Sequence, residues 1–305
     1  MALKNSYNIK ICKHVKDIIL LAPEYLVIQR YSISLEDFKE IRNKLKDIKI
    51  IYDIDDDLIN YFKDDSTRVE TIKYLLTNSD IVTVSTNNLL IEYKQYNSNI
   101  KKIDNILNAK IWESSIRTIE KNETINILYM GSKSHYNDFL LIKNELIQLK
   151  KYYGEKVSID IIGVMSKELY SGKEYFNYIT PPEEARSSYD EFVKWISREN
   201  RWHIGIAPLE DNIFNNKKSY IKFLDYSALG LLTIASKVVP YTDVIESGIN
   251  GVLVDKGEDW FDKISNYMEN IEKIKKISSI AQQQFRHKHI IKDSELLKVF
   301  LNAEY

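Results

Sequence analysis

Cysteine is nearly absent: Cys12 is the only one in 305 residues, so the chain can form no internal disulfide and no cysteine-based metal cluster. That fits a reducing compartment. Glycine is scarce as well, at nine residues, whereas Lys, Ile, Asn and Tyr abound, a balance that follows from AT-rich coding and weakens any argument from lysine or tyrosine counts. An excess of one charge sign is missing too. Forty-three basic residues face 44 acidic ones for a formal net charge of -1, so no global field marks a nucleic-acid or polyanion partner, and charge-driven binding must be local. Long hydrophobic runs are also lacking. The longest apolar patch, "IILLA" at 18 to 22, is far short of the roughly 20 residues that span a bilayer, and the N-terminus shows no apolar run followed by a small-residue cleavage site. The expectation is a soluble, cytoplasmic protein.

What is present is an alternation. A chain of this length corresponds to roughly two domains of about 150 residues. Short β-branched runs at 25 to 31, 49 to 54 and 80 to 86 are separated by amphipathic stretches. In "SLEDFKEIRNKL" the apolar Leu35, Phe38, Ile41 and Leu45 recur every three or four residues behind Ser34 as a cap, which predicts a helix. Helices joining apolar strands in this rhythm imply a parallel sheet covered on both faces. A second series begins at "INILYM" (125 to 130) and continues at 157 to 164, 202 to 209, 231 to 236 and 251 to 255. No solenoid repeat and no low-complexity segment interrupts it. The predicted fold is α/β, with two doubly wound Rossmann-like domains facing a cleft. Residues 1–112 form the first domain, the polar stretch 113–124 a linker, and 125–285 the second domain. Residues 286–305 form a C-terminal helix that packs back on the first domain. The tail from Asp259 to Glu304 reads as helix without strand signals.

Polar residues stand at the C-terminal ends of these strands, where ligands of open α/β sheets sit: Gln29 and Arg30, the carboxylates Asp53, Asp55, Asp56 and Asp57, Ser85 and Thr86, Asn108, then Gly131, Ser132 and His135. Each taken alone also fits a turn or a helix cap. An apolar strand followed by D-x-D is equally how haloacid-dehalogenase-like phosphatases present their nucleophile. In that reading Asp53 attacks phosphorus, Asp55 serves as acid and base, and Mg²⁺ bridges them. Such an enzyme needs a later acidic pair, and the candidates at 208 to 211 and 257 to 262 do not have the expected form.

The most specific stretch is "FNNKKSYIKFLDYSALG", 214 to 230. Lys217, Lys218 and Lys222 fall at the start of a helix whose N-terminal amides and dipole favour an anion. Asp225 lies one turn beyond Lys222 and two beyond Lys218, so all three could face one ligand bearing phosphates and hydroxyls. Gly230 is placed to end the helix.

This stretch resembles the donor-binding domain of GT-B glycosyltransferases, close to the family-four type, and within it a subgroup with the motif F-N-x-x-K-S-x-x-K-x-x-[ED]-Y-x-A-x-G. The segments "VIQRY", "IIYDIDDDL", "DIVTVST", a strand ending in Asn108, and "INILYMGSKSHYNDF" are similar to segments of that subgroup in the same order, so the likeness runs from about Tyr25 to about Val254. The resemblance implies a transferase that passes a sugar from a nucleotide diphosphate to a hydroxyl, retaining and independent of metal, with no cofactor beyond the donor. It implies that Asp225 holds the nucleotide ribose. Gly131, Ser132, Lys218 and Lys222 would meet the diphosphate, with Lys218 and His135 acting in catalysis. Arg30, Asp53 and Asp57 would line the acceptor side, with Asp55 or Asp56 orienting or deprotonating the acceptor hydroxyl. The implied partners are a nucleotide sugar and a glycan, lipid-linked glycan or protein acceptor in bacterial-type surface glycan synthesis, and no nucleic acid. Peripheral contact with the inner membrane face through Lys4, Lys10, Lys13 and Lys16 stays open, as do a non-catalytic nucleotide-sugar-binding module and an epimerase. Two departures stand out: Lys217 occupies the place where the wider family has a first glutamate, and the ribose acid is Asp rather than Glu.

Overall fold

A computed structural model describes residues 9–112, 124–164, 174–199 and 201–291. The linker expected at 113–124 falls outside the described residues except for Thr124, as do Lys4 and, from residue 292 on, the C-terminal helix. The described chain forms two compact units. The first takes the residues up to Asn105 together with Asn216–Ser219, and the second takes Ile106–Asn215 and the chain from Tyr220 onward. The sequence-based boundary at Trp112 therefore lies inside the second unit.

The first unit runs α1 (Val15–Leu21), β1 (Tyr25–Gln29), α2 (Leu35–Lys44), β2 (Lys49–Ile54), α3 (Leu58–Tyr61), α4 (Ser66–Asn78), β3 (Ile81–Val84), α5 (Asn87–Tyr93) and β4 (Ile100–Lys102). Its four strands are parallel in the order β1-β2-β3-β4. Local chemistry sets the helix starts. Ser34, Asp65 and Thr86 each accept the amide three residues on, satisfying donors that the helix itself leaves open. The periodic Phe38 and Ile41 of α2 and Ile72, Leu75 and Leu76 of α4 pack with Ile50, Tyr52 and Ile54 of β2.

The second unit contains β5 (Leu107–Asn108), α6 (Ala109–Trp112), β6 (Ile125–Met130), α7 (Tyr136–Leu140), α8 (Lys143–Tyr153), β7 (Val157–Ile162) and β8 (Asn177–Ile179). It continues with α9 (Tyr189–Ile196), β9 (Ile204–Ala207), α10 (Ile221–Ala228), β10 (Leu232–Ser236), α11 (Val239–Thr242), β11 (Val252–Val254), α12 (Trp260–Met268), α13 (Ile271–Lys288) and β12 (Ile290–Ile291). Six parallel strands lie in the order β11-β10-β9-β6-β7-β8. The chain thus leaves β6 in one direction and returns at β9 to build in the other, the doubly wound order with its switch point between β6 and β9. Along β6, Ile127 and Tyr129 enter one core while Leu128 and Met130 enter another. Both faces are covered, which is why the strand reads as an almost unbroken apolar run.

The tail departs from its sequence reading. After α13, Ile290 and Ile291 pair in parallel with Leu107 and Asn108, a two-residue strand too short to leave an alternating pattern. The strands β4 and β8, three residues each, escape notice for the same reason. No helix among the described residues is long and apolar enough to cross a membrane.

Candidate functional site

In the second unit the switch point collects the residues singled out after β6 and on α10. Met130 ends β6 and is followed by Gly131, Ser132 and a 3-10 turn, Lys133–His135, before the short α7. The Gly131 amide is donated to the Ile162 carbonyl at 3.1 Å, so it extends the sheet. The fit here is close: a Cβ on Gly131 would stand 3.0 Å from Cδ2 of His135, so the ring would have to give way slightly. His135 Nδ1 lies 2.8 Å from Asp138 Oδ2. Asp138, itself buried, also accepts the Glu210 amide at 3.4 Å, tying the segment after β6 to the loop after β9.

Helix α10 is fixed at this point by Tyr226. Its ring lies against Gly205 of β9, where a Cβ would come within 2.5 Å of Tyr226 Cγ. Its hydroxyl donates to the Ile206 carbonyl at 3.1 Å and accepts the Met130 amide at 3.2 Å, so one side chain joins the helix to both strands flanking the switch point. Gly230 ends the helix at φ +68°, with the amides of Gly230 and Leu231 returning to the carbonyls of Ser227 and Tyr226; this is the Schellman pattern, which needs the left-handed residue glycine supplies. At the other end Tyr220 offers the first amides no side-chain acceptor.

One turn apart on α10 are Lys222 and Asp225. Lys222 is buried, its Nζ 5.0 Å from the centre of the Tyr129 ring. Asp225 receives the Tyr189 hydroxyl at 3.4 Å. Burial pushes its carboxyl up to about 7, because the Tyr189 bond and the charge of Lys222 offset only part of the desolvation. A carboxylate held in this way is suited to accept neighbouring hydroxyls, and a desolvated ammonium beside it to meet an oxyanion.

The Asp cluster and Lys218 belong to the first unit. Arg30, in the left-handed region at φ +55°, forms ion pairs with Asp55, Nε to Oδ1 at 3.1 Å, and with Asp56 through its NH2 group. Burial, followed by the charge of Asp55, raises the Asp56 carboxyl against the opposing charges of Arg30 and Lys218. Asp53 accepts the Thr83 hydroxyl at 2.6 Å and the Gln29 amide at 3.1 Å, and burial raises its carboxyl too. Each of the three carboxylates thus has its own partners, and the charge of Asp55 also bears on Asp53. Among the described residues no group of three or more His, Cys, Asp or Glu side chains is placed to hold a metal ion.

Asp57 corrects an expectation. Rather than lining an acceptor surface, it is buried, caps α3 through the Asn60 amide, accepts the Tyr93 hydroxyl at 3.0 Å and pairs with Lys217 Nζ at 2.7 Å. Burial works to raise its carboxyl, yet the bonds from Lys217 and Asn60 outweigh that and hold it below its ordinary range. Lys217 also departs from its place at a helix start. It ends the 3-10 turn Asn215–Lys217, ahead of α10. Lys218 belongs to the first unit, and Lys222 and Asp225 to the second.

Sequence reasoning missed Asp138, Tyr189, Tyr226 and the Asp57–Lys217 pair. The i, i+3 spacing of "HYND" could have flagged Asp138 as a partner of His135. A partner from 36 positions away, as Tyr189 is for Asp225, leaves no such spacing.

No family model matches the chain. Among curated proteins, tRNA pseudouridine synthase A of Mycoplasmoides gallisepticum is 25% identical over 130 residues, covering 39% of this chain and 48% of that protein. The solved structures give broader likeness. TarM matches at TM-score 0.67 and 15% identity over 95% of this chain, which spans 57% of the TarM chain. Anabaena HepE in complex with UDP-glucose matches at TM-score 0.66 and 11% identity over 95% of this chain and 80% of its own. A glycosyltransferase from Rickettsia africae matches at TM-score 0.65 and 16% identity over 95% and 78%. The chain has the GT-B fold, with Rossmann-like α/β units.

Proposed function

We propose that the protein is a glycosyltransferase that takes a sugar from a nucleotide-diphosphate donor and passes it to a hydroxyl acceptor in bacterial-type surface glycan or glycoconjugate synthesis, with retention and without metal. The observation that carries this reading is the pair Lys222 and Asp225 on α10, anchored by Tyr226 at the switch point of a sheet wound in the dinucleotide-binding order. HepE, crystallised with UDP-glucose and with UDP, supports the same ligand class. A tRNA-directed reading draws no support from the charge balance, since 43 basic against 44 acidic residues supply no cationic field.

In the proposed reaction the bond from the anomeric carbon to the β-phosphate oxygen breaks and one to the acceptor oxygen forms. The acceptor proton is lost and a nucleoside diphosphate departs. Asp225 holds the ribose hydroxyls, while Lys222 and the backbone at Ser132, with Gly131 admitting the His135 ring, meet the diphosphate. Negative charge grows on the β-phosphate as the bond breaks, so cations fixed beforehand act where the transition state needs them. Lys218 takes that role with His135, whose ring Asp138 orients. Asp55 and Asp56, held by Arg30, are assigned to the acceptor hydroxyl, with Asp53 supporting the strand end. A glycan, a lipid-linked glycan or a protein is the acceptor, reached in the cytoplasm or at the inner membrane face.

Calorimetry with UDP, GDP and dTDP and their sugars, in EDTA, tests the donor half. One nucleotide should bind to the wild type, and Asp225→Ala should weaken it by about ten- to a hundredfold, as expected for a lost charged hydrogen bond. Binding that survives in both Asp225→Ala and Lys222→Met overturns the assignment, and so does the absence of any nucleotide binding.

A further inference from the structure

The two adjacent lysines of the donor motif do different work. Lys217 Nζ sits 2.7 Å from Asp57 Oδ2 and 3.3 Å from Glu92 Oε2. Its side chain is 10% exposed and that of Asp57 1%. With two carboxylates around it, Lys217 has its charge neutralised inside the first unit. Removing an ammonium and a carboxylate from water is costly, and an apolar pair of similar volume often serves stability as well or better. The pair therefore calls for a role beyond filling the core.

The backbone around Lys217 supplies one. The chain leaves the second unit after Asn215, contributes Asn216–Ser219 to the first and returns at Tyr220. First-unit side chains grip Asn216, Lys217 and Ser219 of the excursion. Asn88 donates to the Asn216 carbonyl at 2.6 Å, Thr86 to the Lys217 carbonyl at 3.0 Å, and Asn105 to the Ser219 hydroxyl at 2.7 Å. The Lys217 side chain is the charged centre of that grip. The charge of Lys218, one peptide further on, is felt by Asp56, which Arg30 holds.

We propose that Lys217 is a positioning residue: by pairing with Asp57 and Glu92 it fixes the segment Asn216–Ser219, and so fixes the place of the Lys218 ammonium. The inference rests on the reading of Lys218 as the cation that meets the donor diphosphate.

The test uses the full chain with Lys217→Arg, Lys217→Met and the double variant Asp57→Asn/Lys217→Met, in which no buried carboxylate is left unpaired. Thermal unfolding reports the fold. Hydrogen exchange at 216–219 reports the anchoring, and hydrolysis of UDP-glucose, GDP-mannose or dTDP-rhamnose, whichever the wild type turns over, reports the chemistry. The expected result is a double variant with near wild-type melting, faster exchange at 216–219, and a kcat lowered on the order of ten- to a hundredfold with a smaller change in KM. Lys217→Arg should retain most of the activity. A folded double variant with wild-type exchange, or with faster exchange but unchanged kcat, overturns the proposal. If the wild type neither binds nor hydrolyses any nucleotide sugar, the glycosyltransferase reading falls instead, and the exchange rates alone decide whether Lys217 fixes the segment.

Discussion

Asp225 shows how one side chain reports its surroundings. Burial holds its carboxyl up to about 7 against an ordinary 3.8, so between these values the folded chain keeps a proton that the unfolded chain has released. Stability then falls as pH rises through that window, because the native state binds more protons there. Asp225→Asn should flatten this part of the profile, read as the difference between the melting temperatures of variant and wild type from pH 4 to pH 8. A constant difference across the range would show that Asp225 ionises normally. Asp57 acts with the opposite sign: its lowered carboxyl contributes stability above the unfolded value that is lost as acid protonates it.

At the scale of elements, α10 is held by a contact that tolerates no added atom. Gly205→Ala would drive a methyl into the Tyr226 ring, and overpacking of this kind costs about 1–3 kcal/mol. Tyr226→Phe keeps the ring but strands the buried Met130 amide, again a loss of about 1–3 kcal/mol. Urea unfolding should register both losses, and both variants should weaken nucleotide binding although neither residue is assigned a contact with the ligand. Retained affinity in both would mean that α10 needs no fixing at the switch point. The helix itself was legible: apolar spacing, Lys222, Asp225 and the terminal Gly230 can be read directly. Its clamp was not, because Tyr226 resembles any aromatic on an apolar face until Gly205 is placed under it.

For the whole molecule, the excursion of Asn216–Ser219 into the first unit means that this unit is not continuous in sequence. A fragment ending at Asn105 lacks Lys217 and leaves a buried Asp57 carboxylate without its cation. Breaking such a pair from one side typically costs about 3–5 kcal/mol, so the fragment should melt well below the full chain, and Asp57→Asn should raise its melting temperature. A fragment as stable as the intact unit, with no gain from Asp57→Asn, would show that the pair carries little weight.

The α/β class, the parallel sheets and most strands are legible from residue order, since apolar runs with both faces buried and helices with a three-to-four spacing are properties of neighbouring residues. The sequence also marked the strand ends where Arg30, the Asp cluster, Gly131 and His135 stand. The tertiary structure alone decided what each of those groups faces. Four aspartates within five positions read alike in sequence, yet one accepts Thr83 and Gln29, two are held by Arg30, and the last is neutralised by a lysine 160 positions away. Charge and hydrogen bonding act through distances of a few ångströms, and only the folded chain sets those distances between residues far apart in sequence.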